Sequence, residues 1–352
     1  MRLKRLKLKL KGAGVDGFLV SDINNIRYLS GFTGSSAYLL VTQDKSWFLT
    51  DSRYASQAQS EVRGYRTRVY RKSLETIAEL ASSMKIKTLA FEGGNLSYDN
   101  FLKVKKAFRK TRLKSLSGVT SALRTRKEPV EISLIKDSVK ALDKGYVTAQ
   151  RVIAPGVREK DAALSIELAF RDSGADATAF DTIIASGFRG ALPHGKASGK
   201  KIKKGELVVV DMGVILNGYN SDETRTYCVG RATAEQKKVY GVVLGAQERA
   251  IERIRPGVKA AEVDRAAREY IEKAGYGEYF GHGLGHGVGL EVHEGPSLSP
   301  FSDDLLEEGM VVTVEPGIYI PEWGGVRIED MVHVVKGGSE VLTKTPKDFV
   351  CL

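Results

Sequence analysis

The stretch GHGLGHGVGLEVHE, residues 281–294, carries His282, His286 and His293, three of the chain's five histidines, among closely spaced glycines. Glycine in an extended segment marks a backbone that passes close to something else. Imidazole is the side chain that titrates near neutral pH and ligates metals. Four acidic residues recur inside apolar, strand-like runs, where a carboxylate is costly unless something compensates it. Asp211 lies in LVVVDMG, Asp222 in GYNSDETRTY, Glu315 in MVVTVEPG and Glu329 in GVRIEDMV. One such acid could be structural and paired with a neighbouring Arg225 or Arg327. Four of them would repel one another and rise in pKa unless cations sit among them.

A pair of divalent metal ions resolves that tension. Four carboxylates and an imidazole are mostly oxygen donors, which suits Mn²⁺ best, with Co²⁺ or Zn²⁺ tolerated. Two such ions can share a water, lower its pKa and polarise a carbonyl. The helical zinc-protease pattern HExxH is absent, because Ser297 stands where its second histidine would be. In an extended segment His282 and His286 face one side and His293 the other, unless a bulge or bend intervenes.

The elements around these residues fall into two regions. VDGFLV, AYLLVT and SWFLTD read as strands and residues 74–83 and 98–110 as helices, an α/β domain over 1–125. Pro129 then opens a long helical pattern at the first-turn position, where its missing N–H costs nothing. A second helix is expected over 159–174 and a helix pair over 234–275. FDTIIASG, GELVVVDMGVIL, GMVVTVEPGIYI and GVRIEDMVHVV read as strands joined by short turns, Asn217-Gly218 among them. Residues 126–352 are therefore expected to form an α+β domain with mostly antiparallel strands.

Composition excludes several classes. A chain of 352 residues with 42% hydrophobic and 28% charged residues has room for two domains and an ordinary core. No apolar run approaches the ~18 residues of a membrane span. The basic N-terminus MRLKRLKLKLKGAG lacks the apolar stretch of a secretory signal. Cys228 and Cys351 are far apart in sequence and read as free thiols of a reducing, cytoplasmic compartment. The net charge of +11 is uneven: residues 1–125 hold 24 Lys/Arg against 9 Asp/Glu, and the remainder is slightly acidic. Leu3, Leu6 and Leu10 give the first helix an apolar stripe with its cations outside, a solvated face rather than a nucleic-acid site.

The ordered set Asp211, Asp222, His286, Glu315 and Glu329 resembles the five metal ligands of the pita-bread metallopeptidases. These include aminopeptidase P, prolidase, methionine aminopeptidase and creatinase. DMGVILNGYNSDETRTY, GHGLGHGVGLEVHEGP, TVEPGIY and GVRIED carry the resemblance from about residue 130 onward. NNIRYLSGFTGSSA and FLTDSRYASQA resemble the creatinase-like N-terminal α/β domain, which methionine aminopeptidases usually lack. The resemblance implies that Asp211 holds one metal and that His286 and Glu315 hold the other. Asp222 and Glu329 would bridge the two, and Glu315 would accept a proton. It further implies that His194 and His293 contact the substrate and stabilise the oxyanion. His282 would line a proline pocket with Tyr319 nearby, and Arg327 would support the metal site. His333 matches no family role and reads as a packed strand histidine.

The expected activity is that of a dinuclear-metal exopeptidase cleaving Xaa-Pro bonds, on peptide substrates with proline in second position. Many prolidases carry an arginine four residues beyond the counterpart of His293, for the free carboxylate of a dipeptide. Ser297 in that place tilts the expectation towards Xaa-Pro aminopeptidase action on longer peptides, with Xaa-Pro dipeptidase as the alternative. Metal-free creatinase-like hydrolysis and a non-catalytic peptide- or nucleic-acid-binding role are disfavoured by the intact ligand set. The resemblance also implies a homodimer in which the N-terminal domain, through Tyr28, approaches the partner's site.

Overall fold

The computed structural model describes residues 2–352, which form two compact units dividing between Arg124 and Thr125. In the first, a six-stranded mixed sheet runs in the order Arg66–Tyr70, Ser46–Asp51, Ala37–Thr42, Gly17–Val20, Thr88–Phe91, Arg112–Ser115. Gly17–Val20 is buried throughout. The two edge strands carry Arg66, Arg68, Arg112 and Lys114 on exposed or half-exposed positions, and such charges discourage edge pairing. Much of the basic excess is thus accounted for by sheet edges and by the outer face of the Arg2–Ala13 helix, which buries Leu6 and Leu10. Tyr28 is buried inside this unit, its hydroxyl donating to Leu123 O at 2.9 Å. A side chain held there does not reach outward to a partner's site, so that expectation is withdrawn.

In the second unit all named strand pairs are antiparallel. Pro129 opens the helix Pro129–Val152, whose N-terminus is closed by a capping box of Glu128 and Glu131. With Glu159–Asp172 it covers the sheet Glu223–Cys228, Leu207–Met212, Ile183–Ser186 through Leu142, Ile166, Phe170, Val208 and Val210. The helices Ala234–Arg253 and Ala260–Lys273 pack on the five-stranded sheet Glu294–Leu298, Gly285–Gly287, Val311–Val314, Asp330–Val335, Gly338–Val341. The result is two helix-backed antiparallel sheets, each with its own apolar core.

Three runs that read as continuous strands are broken. GELVVVDMGVIL divides at Gly213, GMVVTVEPGIYI at Glu315-Pro316, and GVRIEDMVHVV at Ile328-Glu329. Proline has no N–H for the ladder, so Pro316 ends the pairing there. Asn217 and Gly218 both have positive φ, 51° and 78°, the two-residue hairpin turn expected from their types. Cys228 and Cys351, remote in sequence, stand opposite each other in a parallel bridge flanked by two backbone hydrogen bonds, Cys228 N to Val350 O and Leu352 N to Cys228 O.

Candidate active site

The strand breaks decide where the acids stand. Asp211 alone lies within a strand, opposite Thr224 in register. Asp222 directly precedes Glu223–Cys228, Glu315 follows Val311–Val314, and Glu329 precedes Asp330–Val335. Val314 pairs with Asp330, so Glu315 and Glu329 leave the same end of one strand pair side by side. The expectation that these carboxylates sit inside strands is corrected for those three. At strand ends the ladder no longer constrains the side chains, and they can converge.

His286 is the middle residue of Gly285–Gly287. Between His286 and Gly287 the register shifts: His286 faces Ser297, but Gly287 faces Glu294. That irregularity turns the following segment, and the rings of His286 and His293 come to 4.2 Å between centroids. Added Cβ atoms would strike the Thr313 carbonyl at Gly285 and the Gly295 carbonyl at Gly287, so only glycine fits a wall this thin. The buried ion pair of Lys127 Nζ with Glu294 Oε1, at 2.7 Å, fixes the segment just beyond His293.

One cleft of about 550 Å³ is lined by Asp211, Asp222, His286, Glu315 and Glu329 together with His194, His282, His293, Tyr319 and Arg327. Asp222, His286 and Glu329 each offer a donor atom within 4.8 Å of the other two. His286 Nε2 is 3.6 Å from Asp222 Oδ2 and 3.4 Å from Glu315 Oε1. Its Nδ1–H donates to Gly287 O at 3.1 Å, which leaves Nε2 as a lone pair facing the acids. Asp211 stands apart from that trio: its Oδ2 accepts from Arg327 Nη2 at 2.6 Å. Asp211 Oδ1 and Glu329 Oε1 are buried without a hydrogen-bond partner. An oxygen-rich, partly unsatisfied and deeply buried donor set of this kind fits divalent cations.

The electrostatics agree. Burial pushes Asp222 and Glu329 well above the usual carboxylate range, and the neighbouring acids Asp211, Glu315 and Asp222 add to it. Glu315 is pushed up to about 8 by burial, against the opposing pull of Arg327. Burial lowers His286 to about 4, helped by His293, and lowers His282 to about 4 as well. His293 is also lowered, by burial and then by His194. Arg327 donates to Tyr319 OH at 2.9 Å, and that hydroxyl lies 3.1 Å from His282 Nε2, whose Nδ1–H donates to Gly283 O at 2.7 Å. The chain of contacts holds His282 as a neutral ring with a defined face. His333 lies elsewhere, on a strand beside Glu340 at 3.5 Å.

Two residues of consequence were not picked out from sequence. Thr224 Oγ1 donates to Glu329 Oε2 at 2.7 Å and accepts from Arg327 Nε at 3.1 Å. Thr313 Oγ1 accepts from the His286 N–H at 3.0 Å and donates to Glu315 Oε1 at 3.4 Å. Each lies two residues from an acid, Asp222 and Glu315, in a strand otherwise apolar or buried; that period-two spacing is a legible signal.

Residues 133–336 match the profile of Metallopeptidase family M24, and residues 2–126 that of the Creatinase/Prolidase N-terminal domain. The chain belongs to metallopeptidase family M24. That family implies divalent metal ions, in keeping with the donor set above. The chain is 40% identical over 338 residues to the Xaa-Pro dipeptidase of Pyrococcus horikoshii, covering 96% of this chain and 95% of that one. Among solved structures it superposes on the Xaa-Pro dipeptidase of Bacillus anthracis with a TM-score of 0.98 and 40% identity, over 100% and 99% of the two chains. The X-Pro aminopeptidase of Thermotoga maritima gives a TM-score of 0.90 and 38% identity over 99% of each chain. The chain thus has the creatinase-type N-terminal domain followed by the pita-bread catalytic fold.

Proposed function

We propose that this metallopeptidase hydrolyses Xaa-Pro bonds as an exopeptidase, with Xaa-Pro dipeptides as its main substrates. One observation carries the reading: Asp222, His286 and Glu329 converge within 4.8 Å, with Glu315 at 3.4 Å from the same imidazole. Dipeptides are placed before longer peptides because the relatives of 40% identity over nearly the whole chain are named Xaa-Pro dipeptidases. This reverses the tilt that Ser297 alone suggested. Action on longer peptides stays as a second reading, favoured by that serine and by the similarity to an X-Pro aminopeptidase.

In this reading Asp211, Asp222, His286, Glu315 and Glu329 hold two divalent ions, and manganese is the proposed metal because the donors are mostly oxygen. Bound metal supplies Lewis acidity and a lowered water pKa. The rest falls to the chain's own groups. Glu315, on the wall of the cleft, takes up a proton as the reaction proceeds. His194 and His293 face the reacting carbonyl; His293 is kept neutral by burial, so it can donate an N–H without bringing a charge. His282, Tyr319 and Arg327 form the wall beside the proline ring, an uncharged imidazole and phenol being compatible with an apolar pyrrolidine. The scissile tertiary amide has no N–H, and no residue here is asked to recognise one.

Homodimerisation and a cytoplasmic setting belong to the same proposal; no helix of the described residues is long and apolar enough to cross a membrane. The deciding experiment strips metal from the protein, reloads Mn²⁺ and compares Xaa-Pro, Xaa-Pro-Yaa and Xaa-Ala peptides. Turnover restored by metal and confined to proline substrates is expected. Activity indifferent to chelation, or absent on every Xaa-Pro peptide after reloading, would overturn it.

A further inference from the structure

Among the described residues that line the cleft, Lys196 and Arg327 are the ones with a permanent positive charge. Arg327 is buried and committed to Asp211, Tyr319, Thr224 and the Pro193 carbonyl. Lys196 is different. Its side chain is 76% exposed, and its ammonium meets Asp181 Oδ2 at 2.5 Å, where Asp181 is itself 71% exposed. An ion pair so open to water is weak and exchanges readily for another carboxylate.

The Lys196 backbone is nevertheless held in place. Its carbonyl accepts from Arg189 Nη2 at 2.5 Å, and its N–H donates to His194 O at 2.9 Å. Arg189 is in turn anchored on the fully buried Glu159 at 2.9 Å. A flexible four-carbon stem on a fixed backbone, two residues from His194, can place its charge over the cleft. Phe180, Ile183 and Pro193 line the same cleft with apolar surface, while Ser297 brings no charge.

We propose that Lys196 is the specificity-determining cation that receives the free carboxylate of an Xaa-Pro dipeptide, giving up Asp181 for the substrate. The proposal rests on the exopeptidase reading above and adds the residue that selects short substrates. Asp181 then has two effects: it holds the ammonium in the empty site and competes with the incoming carboxylate. A contact of this kind is made alike in ground and transition states, so its loss appears mainly in KM.

The test compares Ala-Pro with Ala-Pro amide, which lacks the carboxylate charge, on the Mn²⁺-loaded full-length protein. The readout is the ratio of kcat/KM for the two substrates within each preparation, which partial unfolding does not move. Lys196→Met should lower that ratio about tenfold, the loss of a single charge-assisted contact, with the change in KM. Lys196→Arg should restore most of it, and Asp181→Asn should raise it above wild type. A Lys196→Met ratio equal to wild type would overturn the role of Lys196. Wild-type protein that cleaves neither substrate would instead overturn the exopeptidase reading, so the two failures are distinguishable.

Discussion

Metal loading should expel protons, and the number can be worked from the site. Without metal, burial and mutual repulsion push Asp222 and Glu329 well above the usual carboxylate range, and Glu315 is pushed up to about 8. A group with that pKa is roughly 90% protonated at pH 7. His286, lowered to about 4, is already neutral and contributes nothing. Metal requires all three carboxylates ionised, so filling the site at pH 7 should release about one proton per chain from Glu315, and any proton held by Asp222 or Glu329 adds to it. Each released proton makes the apparent metal affinity change about tenfold per pH unit, so the slope of log Kd against pH counts them independently. The assay titrates Mn²⁺ into chelator-stripped protein in weak buffer with an indicator dye, and repeats it calorimetrically in buffers of different ionisation enthalpy. Release should shrink as the starting pH rises through about 8, where Glu315 ionises unaided. The same shift predicts stability. The folded pKa of Glu315 exceeds its ordinary 4.5, so the contribution is present below that value and lost as pH rises through about 8. Metal-free protein should therefore weaken over that window by up to a few kcal/mol, on the order of the shift itself, and metal should abolish the trend. Full loading at pH 7 without proton release would refute the account of the buried acids.

Gly285→Ala drives a Cβ into the Thr313 carbonyl beside His286, so thermal denaturation should show a loss of about 1–3 kcal/mol, with less metal per chain. Unchanged stability and metal content would mean that the wall is looser than described. Asp330→Ala removes one of the two buried carboxylates at Arg225, leaving Glu223 at 2.7 Å, and strips Lys347 of its ion-pair partner at 2.9 Å. Chemical denaturation should show a loss of about 3–5 kcal/mol. Asp222→Asn should lower metal content at both positions, and elemental analysis giving two ions per chain would count against bridging. His293→Ala should keep its metal and lose turnover, whereas a parallel fall in both would make His293 a ligand.

The acids were legible because a carboxylate in an apolar run is physically expensive. Asp211, Glu315 and Glu329 each stood out against Val, Ile or Met neighbours, Asp222 less so within the polar run GYNSDETRTY, and His286 stood out among glycines. Asn217-Gly218 announced its hairpin through residue type, and Pro129 its helix start. Less visible were the positions at which strands stop. Glu315-Pro316 and Ile328-Glu329 read as strand interior until pairing partners fix where the ladder ends. The charge excess of the first region was equally ambiguous in one dimension, since an edge strand and a binding face have the same composition.

Residue types and order alone singled out the costly acids and the histidine that would suit cations, a glycine run whose backbone passes close to something, and the two regions the chain would form. These are local costs, set by burial and backbone freedom, and they travel with the sequence. Tertiary structure decided the rest. It turned His293 to the side of His286 through a register shift, set Glu315 beside Glu329 by pairing Val314 with Asp330, and drew Asp211 onto Arg327. It also brought Lys196 and Asp181 to the mouth of the same cleft, and Cys351 opposite Cys228. Such relations depend on strand register and packing, which couple residues far apart in the chain, and no spacing along the chain encodes them.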